Sequence, residues 1–157
     1  MRKYQGFTLL ELSIVLTIIG LVVGGVMVGM ELLRQSEVKR VEKDLVTFQT
    51  AYRQFKTKYN GRLPGDMRDA STFWSECVVD PGQALNQCNG DGSGNVEEVN
   101  YEDVRFWQHL YLAKVINTSF TGYLNAGNRA SPGVNVPALE GGYYRMFNRQ
   151  FYDRTIN

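Results

Sequence analysis

A stretch rich in oxygen-bearing side chains, residues 89–103, contains the residue types that bind a hard cation. Its spacing follows an EF-hand loop, in which positions 1, 3, 5 and 9 supply side-chain oxygens, position 7 a backbone carbonyl and position 6 a glycine. The residues at positions 1, 3, 5, 6, 7 and 9 are Asn89, Asp91, Ser93, Gly94, Asn95 and Glu97. Position 12 should be Glu and is Asn100, with Glu102 and Asp103 just beyond. Calcium is therefore predicted here and no other cofactor is, although such residues are also typical of ordinary turns.

The two cysteines, Cys77 and Cys88, form the second candidate for chemistry. An even number of cysteines in an exported domain predicts a disulfide. The alternative is a pair of free thiols in a reducing compartment. Because Cys88 directly precedes the predicted calcium loop, a disulfide would brace the entrance to that loop.

Enzymatic chemistry is not predicted. The chain has a single histidine, His109, which is expected at the surface or partly packed on a helix. Neither cysteine has a histidine and an aspartate that the sequence identifies as partners for nucleophilic catalysis. The sequence also has no phosphate-binding glycine loop and no zinc-ligand spacing. We therefore expect a structural or binding protein.

One carboxylate, Glu11, lies in an otherwise apolar run from Phe7 to Met30. At about 1.5 Å per residue this run reaches roughly 36 Å, enough to cross a membrane. A charge at the centre of such a helix costs about 2.5–3.5 kcal/mol, so Glu11 needs an explanation. Arg2 and Lys3 precede the run, and basic residues at this end predict a cytoplasmic N-terminus. The net charge of the chain is only +1, which gives no indication of nucleic-acid binding.

The apolar run leaves two questions open. A secretory signal peptide is the alternative to a retained anchor, but its apolar core is about 7–15 residues and ends at an A-x-A-like site, which is missing here. The pairs Gly20/Gly24 and Gly25/Gly29 have the four-residue spacing that lets two helices pack closely. The alternative, equally favoured, is that these glycines make no such contact and only lower the stability of the helix.

The helical pattern continues beyond the apolar run. Apolar residues recur at alternating spacings of three and four and form one stripe: Val38, Val41, Leu45, Phe48, Tyr52, Phe55 and Tyr59. The aromatic members favour packing on a sheet or loop layer over a free-standing coiled coil. Asn60-Gly61, with Pro64 soon after, predicts the end of the helix.

The remaining chain shows shorter elements. We predict a short helix at 71–77 and a helix from Asn100, as N-cap with Asp103 at N3, to about Val115. The residues expected on its buried face are Val104, Trp107, Leu110 and Tyr111. Residues 80–95 and 118–142 are predicted as loops, and the aromatic segments 143–147 and 151–152 as strands.

The segment GFTLLELSIVLTIIG, after its short basic leader, resembles the class III signal of type IV prepilins and type II secretion pseudopilins. The resemblance is close over residues 1 to about 35 and implies cleavage by prepilin peptidase between Gly6 and Phe7, followed by methylation of the Phe7 amine. It also implies that Glu11 pairs with the Phe7 amine of a neighbouring subunit, since breaking a buried ion pair costs about 3–5 kcal/mol. The alternative is that Glu11 only reaches to the membrane interface.

This resemblance implies an α+β, pilin-like fold. A leader (1–6) precedes a transmembrane and assembly helix (7–30), its amphipathic continuation (31–60) and an exported domain (61–157). That domain is expected to contain short helices, long loops and a small antiparallel sheet. Major pseudopilins are similar in holding calcium in a loop of this domain.

The implied function is that of a structural subunit of a type IV pilus-like filament. The alternatives are a pseudopilin, which Val28 favours where many pilins have proline, and a minor pilin with a tip-binding role such as DNA uptake. The implied partners are other pilin subunits, prepilin peptidase, the inner-membrane assembly platform and lipid. The implied location is the bacterial inner membrane, with a single span, and then a periplasmic or extracellular filament.

A mixture of basic and aromatic residues near the C-terminus is the only pattern that suits nucleic acid. It comprises Arg145, Arg149 and Arg154 interleaved with Tyr143, Tyr144, Phe147, Phe151 and Tyr152. An arginine-flanked edge strand with its aromatic residues in the core is the favoured interpretation, so a nucleic-acid partner is not expected.

Overall fold

The structure is a computed structural model that describes residues 6–77, 88–98, 101–123, 130–148 and the backbone of 150–155. Its elements are α1 (Leu9–Lys58), α2 (Ala70–Phe73), α3 (Glu102–Leu112), β1 (Ala138–Leu139), β2 (Gly142–Phe147) and β3 (Gln150–Thr155). The predicted α+β class, with one long N-terminal helix and a small antiparallel sheet, is confirmed. The chain divides into two compact units, Met1–Lys43 and Asp44–Asn157.

The first unit consists of α1 up to Lys43. Its most apolar 18-residue window has a mean hydropathy of 2.5 and is unburied, so α1 is long and apolar enough to cross a membrane. A Cβ built on Gly20 or Gly24 meets no atom within 4 Å. Within this unit, therefore, the glycines serve no packing contact.

In the second unit, the end of α1 supplies one side of the core. Ala51 and Phe55 are fully buried. The Phe48 ring packs edge-on against Trp107 and Tyr144, with centroids 4.8 and 5.2 Å apart. The predicted packing of the aromatic stripe on a domain is confirmed for these residues.

The end of α1 follows its sequence signal. Asn60 and Gly61 adopt left-handed conformations, with φ of 53° and 82°. The Gly61 amide donates to the Lys56 carbonyl at 2.7 Å, which closes the last turn. The predicted stop is therefore confirmed.

The two short helices differ from their predicted bounds. α2 covers only Ala70–Phe73, because Trp74 leaves the helix in an extended conformation. α3 begins at Glu102 and ends at Leu112, preceded by left-handed Tyr101 as its cap residue. The predicted cap, Asn100, lies outside the described residues, and Tyr111 is only half-buried.

The sheet is a three-stranded antiparallel meander in the order β1-β2-β3. β2 places Tyr144 and Met146 in the core, beside α3. The Tyr144 hydroxyl donates to Asp44 Oδ2 at 3.1 Å, so the sheet is joined to the start of this unit's helical segment.

Candidate functional site

The start of α1 is organised by a reciprocal pair of side chains. The amide and hydroxyl of Thr8 donate to Glu11 Oε2 at 2.8 and 2.9 Å, and the Glu11 amide donates to Thr8 Oγ1 at 3.3 Å. This is a capping box, which satisfies amides that the helix itself leaves without partners. The T-x-x-E spacing is legible in the sequence, and our sequence analysis missed it.

The predicted processing point lies directly before this box. Gly6 is exposed, Phe7 is 89% exposed, and a Cβ on Gly6 would meet no atom within 4 Å. The peptide bond between them is therefore accessible to a protease. The box holds the Glu11 carboxylate at the positive end of the helix dipole, next to Phe7.

In the second unit the predicted disulfide is present. Cys77 and Cys88 are bonded, with their Cα atoms 5.6 Å apart, and both residues are buried. The bond closes the segment that leads into the loop starting at Asn89. The predicted disulfide is therefore confirmed, and its bracing of this entrance stays a prediction.

His109 is not at the surface, so the sequence prediction for this residue was wrong. The residue is fully buried on α3, against the Trp74 ring at 5.3 Å between centroids. The Gly65 amide donates to His109 Nδ1 at 2.8 Å, which leaves Nε2 protonated to donate to the Cys88 carbonyl at 2.9 Å. Burial lowers the pKa of His109 to about 4, so the neutral imidazole links two loops to α3.

The loop after the disulfide lies against the turn that follows α1. The amides of Gly90 and Gly92 donate to the carbonyls of Met67 and Asp66 at 2.7 and 3.0 Å. A Cβ on Gly90 would overlap the backbone of Gly65 and Asp66. Glycine is therefore required for this approach of backbone to backbone.

Three carboxylates meet where this turn, this loop and the start of α3 converge. Asp66, Asp91 and Glu102 each place one carboxylate oxygen within 4.8 Å of the others. Asp66 Oδ2 accepts from the Gly94 amide at 2.9 Å. Glu102 accepts from the amides of Asp91 and Glu97 at 2.9 and 3.0 Å, so it holds the loop at two points.

These acids share one electrostatic environment. Burial raises the pKa of Asp66 and of Glu102, and the charge of Asp91 raises both further. Arg68 and Arg105 donate to the backbone carbonyls of Asp91 and Asn89, and Arg105 also interacts electrostatically with Glu102. The cluster is therefore an acidic, partly buried recess.

The structure brings together only part of the ligand set predicted for calcium. Asp91 and Glu102 belong to the cluster. Asn89 instead accepts from the Ser71 amide at 2.9 Å through its side chain. Asp66, which lies outside the predicted loop, is the carboxylate that our sequence analysis missed, because its proximity depends on the fold of the turn after α1.

The remaining predicted ligands serve the loop or another ion pair. Ser93 donates its amide to Asp91 Oδ1 at 2.8 Å, as in an Asx turn, and Asn95 donates its amide to Ser93 Oγ at 3.4 Å. Glu97 contributes its amide to Glu102. Asp103 Oδ2 accepts from Arg145 Nε at 3.0 Å and points to the sheet side of α3.

Arg145 lies inside the domain. It contacts Asp103 and, through a second nitrogen at 2.8 Å, Glu98, and its side chain is 9% exposed. Burial raises the pKa of Asp103, while Arg145 acts to lower it. Of the basic and aromatic mixture, Arg149 and the side chains of Phe151, Tyr152 and Arg154 lie outside the described residues.

Comparison with known protein families identifies the N-terminal segment. Residues 1–27 match the family model described as the prokaryotic N-terminal methylation motif, the signal carried by type IV pilins and pseudopilins. The match includes Gly6, Phe7 and Glu11 and ends within the apolar part of α1. No curated protein and no solved structure matches the chain.

Proposed function

We propose that the chain is a structural subunit of a type IV pilus-like filament, cut after Gly6 by prepilin peptidase and methylated at Phe7. The observation that carries this proposal is the methylation motif over residues 1–27, placed on an exposed peptide bond and an apolar helix. A disulfide-bonded domain after this helix fits export to an oxidising compartment.

Assembly through α1 follows from the chemistry of its first turn. The helix exposes large apolar residues along its first unit, and these need lipid or other helices to cover them. Glu11 is the one carboxylate in this run. A neighbour's free Phe7 amine would neutralise it, whereas a helix without that partner keeps a charge in the membrane.

A pseudopilin of a type II secretion system is the second candidate. Its support is Val28, the residue at a position where many pilins have proline, in a helix that runs unbroken from Leu9 to Lys58. A tip-binding minor pilin is the third candidate. Arg145 offers no exposed charge to such a role because it is paired inside the domain.

The first experiment compares the chain purified from membranes of cells with and without prepilin peptidase, by intact mass and N-terminal sequencing. We expect loss of residues 1–6 and gain of one methyl group on Phe7, both dependent on the peptidase. Gly6→Val should abolish the change, and Gly20→Val, in the same segment, should leave it intact. An unprocessed wild-type chain would refute the proposal.

A second experiment separates the two roles of Glu11. Glutamine can replace glutamate in a capping box but carries no charge, so Glu11→Gln keeps the local hydrogen bonds. We expect Glu11→Gln to be processed normally and to cross-link poorly to neighbouring subunits, while Glu31→Gln, on the same helix, behaves as wild type. Normal cross-linking of Glu11→Gln would show that the charge is not needed for assembly.

A further inference from the structure

We propose that the cavity beside the end of α1 binds an acidic saccharide, a sugar that carries a carboxylate, either free or as a unit of a polysaccharide. The cavity measures about 690 Å³ and lies within the second unit. Its walls come from the last turn of α1, the turn after α1 and the loop after the disulfide. This inference goes beyond the filament role and does not depend on it.

The charged side chains that line the cavity carry an excess of positive charge. They are Lys56, Arg62, Arg68, Asp66 and Asp69. Asp66 is only 5% exposed, whereas the Asp69 side chain is 40% exposed, so Asp69 is the one open acid of this set. A cleft lined by three cations and one open acid favours an anionic ligand.

Two of these cations have no acidic partner. Within the part of the chain that the structure describes, neither Lys56 nor Arg68 forms an ion pair. The Lys56 ammonium lies over the Tyr52 ring, 5.5 Å from its centroid. Arg68 donates through its Nε to the Asp91 carbonyl. Both side chains therefore keep N–H donors for a carboxylate of the ligand.

Arg68 is held in position by its own loop contacts. Its side chain packs on Gly92, where a Cβ would overlap Arg68 Nε and Cδ. Together with the bond from Nε to the Asp91 carbonyl, this packing fixes the stem of the side chain. The two terminal amino groups of the guanidinium remain as a planar pair of donors that matches a carboxylate. Because the stem is already ordered, binding costs less side-chain entropy.

The rest of the lining suits a hydroxylated ligand. Sites for apolar ligands are lined mostly by hydrophobic and aromatic side chains. Here only Leu63 and Met67 are apolar, and the other lining residues are charged or glycine. The carboxylates of Asp66 and Asp69 add acceptors for hydroxyl groups. Cations for a carboxylate and acids for hydroxyls together match an acidic sugar.

The size and the rim of the cavity distinguish a sugar from a simple anion. Its volume falls in the range of about 300–1,000 Å³ that is typical of sites for small organic molecules. Arg62, in the lining, lies over the Phe73 ring, 5.3 Å from its centroid, and Phe73 is 49% exposed. An exposed ring beside the charged lining can pack against the C–H face of a sugar.

The test uses the full chain in detergent at neutral pH and low salt, titrated by calorimetry. Trigalacturonate is the acidic probe and maltotriose the neutral one. We expect a dissociation constant of about 10⁻⁴–10⁻³ M for trigalacturonate, because exposed charge pairs contribute little each, and no binding of maltotriose. Galacturonate separates the two sources: equal affinity assigns a free sugar acid, and weaker binding assigns a polysaccharide.

Two variants and a matched control locate the site. Lys56→Gln and Arg68→Gln should each weaken trigalacturonate binding by about tenfold, because each removes hydrogen bonds to a charged group. Lys114→Gln removes the same charge from an exposed lysine that lies over Tyr111, outside the cavity, and should bind like the wild type. Melting temperatures establish that each variant is folded. If Arg68→Gln does not fold, Lys56→Gln decides.

Three results would overturn the site. These are no binding at millimolar trigalacturonate, wild-type affinity in Lys56→Gln or Arg68→Gln, and equal loss of affinity in the Lys114→Gln control. Equal affinity for maltotriose or for inorganic phosphate would overturn the assignment to an acidic saccharide. Tighter binding of a single-stranded oligonucleotide through the same two residues would also overturn it. None of these readouts depends on peptidase processing, so failure here leaves the proposed function intact.

Discussion

Acidification should destabilise the second unit through one buried imidazole. The pKa of His109 is lowered from 6.5 to about 4 by burial, with a smaller contribution from Arg105. The unfolded chain therefore takes up a proton below about pH 6.5, whereas the folded chain does so only near pH 4. At about 1.36 kcal/mol per pKa unit, the difference amounts to about 3 kcal/mol of stability. That stability is complete above pH 6.5 and is lost as the pH falls towards 4.

The assay is urea unfolding of the full chain in detergent at a series of pH values, followed by tryptophan fluorescence. Both tryptophans, Trp74 and Trp107, lie in the second unit, so the signal reports its unfolding. His109→Gln is the control, because an amide can accept from Gly65 and donate to Cys88 without titrating. The carboxylates titrate in both proteins, so the difference between the two stability curves isolates the imidazole.

We expect the wild type to lose about 3 kcal/mol more than His109→Gln between neutral pH and pH 4. Because His109 is the chain's one histidine, its titration can also be followed directly by NMR as a single imidazole signal. A folded-state pKa near 6.5, or equal pH slopes in the two proteins, would refute the reasoning.

Two further predictions concern the backbone and the buried ion pair, both measured by urea unfolding at neutral pH. Gly65→Ala should lower the free energy of unfolding by about 1–2 kcal/mol for the left-handed backbone and by about 1–3 kcal/mol more for overlap with Glu102. Gly61 has a similar φ and no neighbour within 4 Å, so Gly61→Ala should lose only the backbone contribution. Equal losses would show that the backbone contact is not tight. Arg145→Met should cost about 3–5 kcal/mol by leaving Asp103 buried without its partner. A loss below about 1 kcal/mol would mean that the pair behaves as an exposed one.

Local signals in the sequence predicted the parts of the fold that depend on near neighbours. The α1 stop at Asn60-Gly61 was legible because left-handed residues there have a clear chemical signature. The disulfide followed from the number of cysteines and the expected export. The capping box at Thr8 and Glu11 is equally local, because its T-x-x-E spacing lies within four consecutive residues.

The features that were missed depend on contacts between distant segments. Asp66 belongs to the acidic cluster only because the turn after α1 folds against the loop at Gly90. His109 was expected at the surface or partly packed, because periodicity alone does not show that two loops cover that face of α3. The ion pair of Arg145 was not predicted because its partner, Asp103, lies 42 positions earlier in the chain.

The hydrogen bond between Asp44 and Tyr144 joins residues 100 positions apart, and it has a consequence for the order of synthesis. The helical segment that carries Phe48 leaves the ribosome well before β2 does. At about 5–20 residues per second, this interval is about 5–20 s, during which Asp44 and Phe48 lack Tyr144 as a partner. We therefore expect the yield of this chain in the cell to depend on elongation rate as well as on the stability of the finished domain.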